Sequence, residues 1–436
     1  MSDVGYLLES GGKQAEKTLS GSCARQETKA PYPVPAPVPT QSGGEGIFFD
    51  FNEGCRVQLP DPGENAWWRI ELKDLDTGNI LFHQAGLKRD FVRSSKRWFV
   101  KFGVSLWKEV AVSGSERQSV LVFDHVFDVR QRDVLINFPV GTLGDTLAWM
   151  PYADRFAEKH SANVTCAMSG LIIPLFRDAY PHLRFVTHEE AVAQNLTKNA
   201  YASYYLGLFF DDVSCDWQPA DFRLVGLHKT AAYILGTEPV EEPAKITFPD
   251  AGRPIAEPYV CIAMQASSQC KYWNNPYGWA EVVSWLKAQG YRVVCIDQKV
   301  VHGAGIVWNY MPYGVENQTG NRPLAERARW LKHAAFFVGL GSGLSWLAWS
   351  AGCPVVMIAG FSHPTTEFHT PYRVINWHAC NSCWNDPKER FSHDNFLWCP
   401  RHQGTPRQFE CTRLITAHQV IGALGRVMQS SSTFPK

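Results

Sequence analysis

Toward its C-terminus the chain spaces four cysteines as Cys380-x2-Cys383-x15-Cys399-x11-Cys411. A C-x2-C pair supplies two thiolates from one tight turn, and two further thiolates complete a tetrahedron around a metal ion. Zinc and iron both suit tetrahedral sulfur, so the spacing leaves the two metals open. A disulfide reading needs an oxidising compartment. The opening MSDVGYLLES has no basic n-region and no apolar h-region, and no apolar run reaches bilayer length. The expectation is a cytoplasmic chain whose quartet binds metal. His378, His393, His402 and His418 are the substitute ligands within reach in sequence. Four thiolates leave no open coordination position, so the site is expected to be structural, with the chemistry elsewhere.

At 436 residues the chain is long enough for two or three domains. Lys plus Arg and Asp plus Glu number 42 each, so no net field recruits nucleic acid or a membrane surface. Residues 1–45 contain APYPVPAPVPTQSGG and read as a disordered, Pro-rich tail, extended where prolines alternate. Residues 46–130 read as a β-rich domain. Short alternating segments (GIFFDF, CRVQLP, WWRIELKD, NILFHQA, SVLVFDHVF) are punctuated by PDPGEN and DLDTGN, which suits a small antiparallel barrel or sandwich.

From residue 131 the pattern changes to apolar strands alternating with amphipathic helices. This predicts an α/β fold with two Rossmann-like domains, at 131–240 and 250–375, each a parallel sheet covered on both faces. A ligand cleft is expected at the C-terminal strand ends. Residues 376–412 have little periodicity and form the four-cysteine metal finger, where a metal replaces a core as the ordering element. Residues 413–436 supply a closing helix and tail.

Three loops fall at the expected cleft edge. The first is Gly141-Thr142-Leu143-Gly144-Asp145-Thr146, a strand-to-helix turn. Its glycines permit close approach of a ligand, and Asp145 is either a helix N-cap or a general base. The second is Gly339-Leu340-Gly341-Ser342-Gly343-Leu344-Ser345, which opens backbone N–H groups at a helix start and suits a diphosphate. It is neither a Walker loop nor a dinucleotide fingerprint. The third is Ser267-Ser268-Gln269-Cys270-Lys271-Tyr272-Trp273, where Lys271 is either a solvated loop cation or the group that neutralises a leaving phosphate.

At these residues the chain resembles glycosyltransferases of the heptosyltransferase group, with their two-domain GT-B fold. LINFPVGTLGDTLAWMP is similar to the loop carrying that group's catalytic base, which places the role on Asp145, with Thr142, Leu143 and Gly144 beside the donor. QASSQCKYWNNPYGW resembles the loop whose lysine holds the nucleotide phosphates, here Lys271. VGLGSGLSWLAWSAGCPVVMIAG resembles the D-T-G-L-S-H-L diphosphate loop. Gly341 stands for the Asp and Trp346 for the His, while Ser342, Gly343, Leu344 and Ser345 fit. Together with the β-rich N-terminal piece and the four-cysteine finger, the pattern looks like the bacterial autotransporter heptosyltransferase family. That resemblance implies ADP-heptose as donor, serines of an autotransporter adhesin passenger as acceptor, and an iron-bound finger. It also implies a large homo-oligomer, of dodecamer size. Two other readings stand beside it: a lipopolysaccharide-core heptosyltransferase, and a non-catalytic metal-finger assembly protein.

Overall fold

The structure, a computed structural model, describes residues 33–113, 116–138 and 142–432. Strands β1 (Gln41–Gly44), β2 (Ile47–Asn52) and β3 (Arg56–Leu59) open the chain, followed by β4 (Ala66–Asp74), β5 (Ile80–Leu87), β6 (Asp90–Arg93), β7 (Phe102–Ser113) and β8 (Glu116–Val126). The α/β pattern begins at β9 (Asp133–Asn137), with β10 (Asn163–Ala167), β11 (Arg184–Val186) and β12 (Ala202–Tyr205). One eight-stranded sheet runs β11-β10-β9-β12-β2-β3-β6, with β1 attached to β2. Strands β9 to β12 are parallel, and β2 joins β12 in parallel through Phe51 and Asn52.

This arrangement corrects the expected free-standing barrel or sandwich. Strands β2, β3 and β6 extend the parallel sheet, and only β5-β4-β7-β8 form a separate antiparallel sheet. The sequence carries the physical reason. In β2 every residue but one is buried, as a strand covered on both faces requires, whereas β4 alternates buried and half-buried positions. The tail reading is also corrected for its described part. Gln41–Gly44 is a strand. The hydroxyl of Thr197 donates to the Val34 carbonyl and Nη1 of Arg56 donates to that of Ala36, both at 2.7 Å. Residues 1–32 lie outside the described residues.

The second half contains β13 (Tyr259–Ile262), β14 (Arg292–Cys295), a hairpin of β15 (Val301–Ala304) and β16 (Val307–Tyr310), then β17 (Glu316–Asn317), β18 (Phe337–Leu340), β19 (Val355–Ile358) and β20 (Arg373–Val374). Its sheet runs β17-β14-β13-β18-β19-β20, parallel throughout. All residues of β13, β18 and β19 are buried, which is why these strands read as unbroken apolar runs. Helices Gly278–Ala288, Leu324–His333, Gly343–Ser350 and Ala417–Ser432 cover it. Among the described residues no helix is long and apolar enough to cross a membrane.

The two halves share packing. Trp149, on helix Leu143–His160, donates its indole N–H to the Leu227 carbonyl at 2.6 Å and belongs to the same apolar core as Trp346, Leu347 and Phe368. Trp346 meets Phe368 edge-on at 5.0 Å. The chain thus carries two α/β sheets, the first extended by a β-rich N-terminal part, and these two sheets face a common cleft.

Candidate functional site

A cleft of about 1890 Å³ lies between the halves. Its walls include the starts of helices Leu143–His160 and Gly343–Ser350, the loops after β13 and β14, and part of the cysteine segment. The two helix starts touch. A Cβ on Gly343 would lie 2.9 Å from the Leu143 Cβ and 3.1 Å from the Gly144 nitrogen, and a Cβ on Gly144 would lie 3.4 Å from the Gly343 Cα. Glycine at both positions is therefore what lets the backbones approach. Two positive helix ends at one place favour an anionic ligand such as a diphosphate.

Thr142 is the N-cap of the first helix, so Asp145 is its third residue and not the cap. Its carboxyl lines the cleft wall beside Thr142, Leu143 and Gly144. Removal from water raises its pKa above the ordinary carboxylate range, opposed by a hydrogen bond from the Thr142 side chain and by the positive charge of Lys271. The structure thereby brings Asp145 and Lys271, separate in sequence, into one electrostatic neighbourhood. Gly141 lies outside the described residues.

In the second glycine loop the predicted residues divide. Ser342, Gly343 and Leu344 line the cleft. Ser342 is extended at the N-cap position, yet its hydroxyl makes no capping bond and is buried without a partner among the described residues. A buried hydroxyl of that kind is available to a ligand. Ser345 is instead fully buried, and its hydroxyl donates to the Leu340 carbonyl at 2.5 Å, closing the turn. Gly341 is packed against the carboxylate of Glu367, which any side chain at 341 would strike.

Lys271 ends the short turn Gln269–Lys271 after β13. Its ammonium lies 3.3 Å from the Ser267 hydroxyl and stands over three rings: Phe391 at 5.4 Å, Phe361 at 5.5 Å and Trp384 at 5.7 Å. Such contacts hold a cation without neutralising it. The turn is anchored to the cysteine segment, since the Gln269 N–H and the Ser268 hydroxyl both donate to the Phe396 carbonyl, at 2.9 and 3.0 Å. Tyr272 and Trp273 are buried anchors behind it, and the Trp273 indole N–H donates to the Ile415 carbonyl at 2.9 Å. Asp297, past the end of β14, fixes the loop in front. It accepts from the Met264 N–H at 2.7 Å and the Gln265 N–H at 3.3 Å, and burial pushes its carboxyl up to about 6.

The cysteine segment is a wall of the cleft as well as a candidate metal centre. Trp384, Phe391, Ser392, His393, Asp394 and Phe396 all line it. Cys383, Cys399 and Cys411 are buried and Cys380 is half-buried. Burial first, and then the neighbouring sulfurs, push the Cys383 thiol up to about 12 and the Cys411 thiol higher still. Nη1 of Arg401 lies 3.7 Å from the Cys380 sulfur. Thiols crowded out of water in this way suit a thiophilic cation, so the residues fit a metal ion. Cys380, Cys383 and Cys399 all act electrostatically on Cys411, so the four sulfurs share one neighbourhood. Among the described residues the donor atoms of Cys380, His402 and Glu410 also lie within 4.8 Å of one another. The Glu410 carboxylate is drawn there by accepting from the Cys380 N–H at 3.0 Å and from Arg407.

Sequence reasoning missed Glu367, Asp297 and the aromatic wall. Asp297 had a readable signal, an acid directly after the apolar strand YRVVCI. The aromatics of the cysteine segment had none, because only the fold carries them across to Lys271.

Two parallel α/β sheets facing one anion-suited cleft form the frame of a glycosyltransferase. Glycosyltransferase family 9 (heptosyltransferase) matches residues 229–394, and the N-terminal domain of glycosyltransferase TibC matches residues 43–110. An autotransporter heptosyltransferase of Citrobacter rodentium (strain ICC168) is 48% identical over 396 residues, which is 91% of this chain and 92% of that protein. The crystal structure of the iron-containing dodecameric glycosyltransferase TibC from enterotoxigenic E. coli H10407 is similar with a TM-score of 0.84. It is 47% identical and covers 91% of this chain and 99% of that one. TibC in complex with ADP-D-beta-D-heptose gives a TM-score of 0.83 at 46% identity, over 91% of this chain and 100% of that one. A relative from Burkholderia thailandensis, 44% identical over 89% of this chain and 88% of its own length, is named an inactive autotransporter heptosyltransferase. The chain belongs to the autotransporter heptosyltransferase family.

Proposed function

We propose that the chain is a protein O-heptosyltransferase that moves heptose from ADP-heptose to serine hydroxyls of autotransporter adhesins in the cytoplasm. The observation that carries this reading is the meeting of Asp145 and Lys271 in one cleft with two abutting helix N-termini. Asp145 takes the proton from the serine hydroxyl as its oxygen attacks the anomeric carbon, because an unassisted hydroxyl is a poor nucleophile. The bond from that carbon to the phosphate oxygen breaks, and ADP leaves with the electron pair. Lys271, Ser342 and the backbone N–H groups at Gly343 and Leu344 receive the charge that develops on the phosphate. Thr142, Leu143 and Gly144 form the opposing lip and position the donor.

In this reading the two sheets are the Rossmann-like domains of a GT-B enzyme, at 131–240 and 250–375. Residues 46–130 form the β-rich domain and 376–412 the metal finger. Cys380, Cys383, Cys399 and Cys411 would hold one iron ion, with zinc as the alternative. The ion would cross-link the segment that walls Lys271. The chain assembles as a large homo-oligomer, by analogy with the dodecameric TibC.

A non-catalytic reading has one observation in its favour, the inactive relative at 44% identity. Against it stands the presence of both Asp145 and Lys271 in the cleft. Co-expression with an autotransporter passenger, followed by intact-mass and peptide mass spectrometry, separates the two. The expected result is a gain of one heptose per modified serine, lost with Asp145→Ala. An unmodified passenger, with ADP-heptose supplied, would overturn the transferase reading.

A further inference from the structure

Several acids line the cleft, and most are already engaged. Asp145 is the proposed base. Asp297 has both oxygens committed to backbone N–H groups of the β13 loop. Glu367 has no part in the chemistry described so far, although it borders the cleft while only 6% exposed.

Its surroundings are specific. Oε1 accepts from the Ser362 hydroxyl at 2.6 Å and Oε2 accepts from Nη2 of Arg373 at 2.7 Å. Oε1 also lies against the Cα of Gly341, in the space that any side chain at 341 would occupy. An ionised carboxylate has about four acceptor sites, and these two hydrogen bonds use two of them. The arginine compensates the buried charge, and the serine fixes the plane of the group. The carboxylate is thus held rigid against Gly341, the residue before Ser342 and the phosphate-suited turn, with acceptor capacity left over.

A sugar attached to a diphosphate presents hydroxyl donors next to the phosphates. A fixed, charge-bearing acceptor beside the phosphate turn is the chemistry that recognises them. A site built to hydrogen-bond a hydroxyl also rejects analogues lacking it, because its own polar group is then left unpaired. We propose that Glu367 is the specificity-determining acceptor for hydroxyls of the transferred sugar, and that residue 341 is glycine to make room for it. The inference rests on the nucleotide-sugar reading of the cleft.

The competing role is structural, an ion pair tying the 361–368 segment to β20. Binding of ADP and of ADP-heptose separates the two, without acceptor or turnover. For Glu367→Gln, which keeps the shape, ADP affinity is expected to stay within twofold of wild type. ADP-heptose affinity should fall at least tenfold, and kcat/KM with it. Wild type should also discriminate against an ADP-sugar lacking one ring hydroxyl, and Glu367→Gln should lose that discrimination. Gly341→Ala, which leaves the Glu367–Arg373 pair in the chain, is the second variant and should show the same sugar-selective loss if Glu367→Gln fails to fold. Equal weakening of ADP and ADP-heptose in both variants, or no change in either ligand, overturns the assignment. Wild-type protein that binds ADP-heptose no better than unrelated nucleotides removes the donor reading itself, a result distinct from failure of Glu367 alone.

Discussion

The Lys271 ammonium stands 5.4 Å from the ring centroid of Phe391, so the turn after β13 and the cysteine segment share one cation contact. Phe361 and Trp384 complete the wall. A cation–π contact on a part-exposed lysine is worth about 0.5–2 kcal/mol, and a charge-assisted hydrogen bond to phosphate about 1.5–3 kcal/mol. Phe391→Ala is therefore expected to weaken ADP binding by about three- to tenfold, from loss of alignment and not of charge. Lys271→Ala should weaken it by about ten- to a hundredfold. Isothermal calorimetry with ADP checks both. A Phe391→Ala effect equal to that of Lys271→Ala would mean that the ring does more than hold the cation.

Metal removal should reach the same place from the other side. The Phe396 carbonyl receives the Gln269 N–H and the Ser268 hydroxyl, so a loosened cysteine segment releases the lysine turn. A structural metal supplies folding free energy directly, and chelation reverses that contribution. Chelation, or Cys383→Ser, is expected to lower Tm and red-shift emission from Trp384 and Trp398, which pack in the small core beside Cys383. ADP affinity should fall with it, although none of the four cysteines lines the cleft. Metal analysis alongside calorimetry is the check. Full ADP affinity in metal-free protein would uncouple the segment from the cleft.

Much of this was legible in the sequence, for identifiable reasons. Parallel strands buried on both faces leave unbroken apolar runs, and YVCI, FVGL and VVMI announced β13, β18 and β19. Loops at the C-terminal ends of such strands were the expected ligand edge, and Asp145, Lys271 and Ser342–Leu344, which follow β9, β13 and β18, do line one cleft. What stayed hidden was long-range. Local alternation cannot say that β2 pairs with β12 across some 150 residues, a separation read from Phe51 and Ala202. Nor could spacing reveal that Glu367 fills the room left at Gly341, or that His402 and Glu410 crowd Cys380. In each case the partner is brought in by tertiary packing, for which a single sequence has no period.

The glycine contact between the two helix starts makes a sharp test of the cleft. A methyl group at 343 would lie 2.9 Å from the Leu143 Cβ and 3.1 Å from the Gly144 nitrogen, where backbone cannot yield cheaply. Gly343→Ala is expected to push the helix starts apart and cost about 1–3 kcal/mol as an overpacked contact. Donor binding should be lost beyond that stability cost, since the displaced N–H groups are those proposed to receive the phosphate. Thermal melts and ADP titration together measure it. A variant with wild-type Tm and wild-type ADP affinity would show that the contact is not needed to shape the site.

Asp145 should display opposite effects on activity and stability. Its pKa is raised by removal from water, only partly offset by Thr142 and Lys271. A carboxyl raised in the folded state holds a proton that the unfolded chain has released. Above the unfolded pKa of about 3.9, stability therefore falls as pH rises through the folded value, then stays at the lower plateau. Asp145→Asn removes the ionisation and should be more stable than wild type near neutral pH, with the gain vanishing below the unfolded pKa. The same variant should lose about 10²- to 10⁴-fold in transfer rate, the contribution of a positioned general base, while binding ADP normally. In the wild type the acid limb of kcat/KM should lie above the ordinary carboxylate range and be absent from whatever activity the variant retains. Melting curves of both proteins at acid and neutral pH, set beside the pH–rate profile, check the pair. An Asp145→Asn protein less stable at neutral pH, or one with full activity, would show that the carboxylate serves the fold and not the reaction.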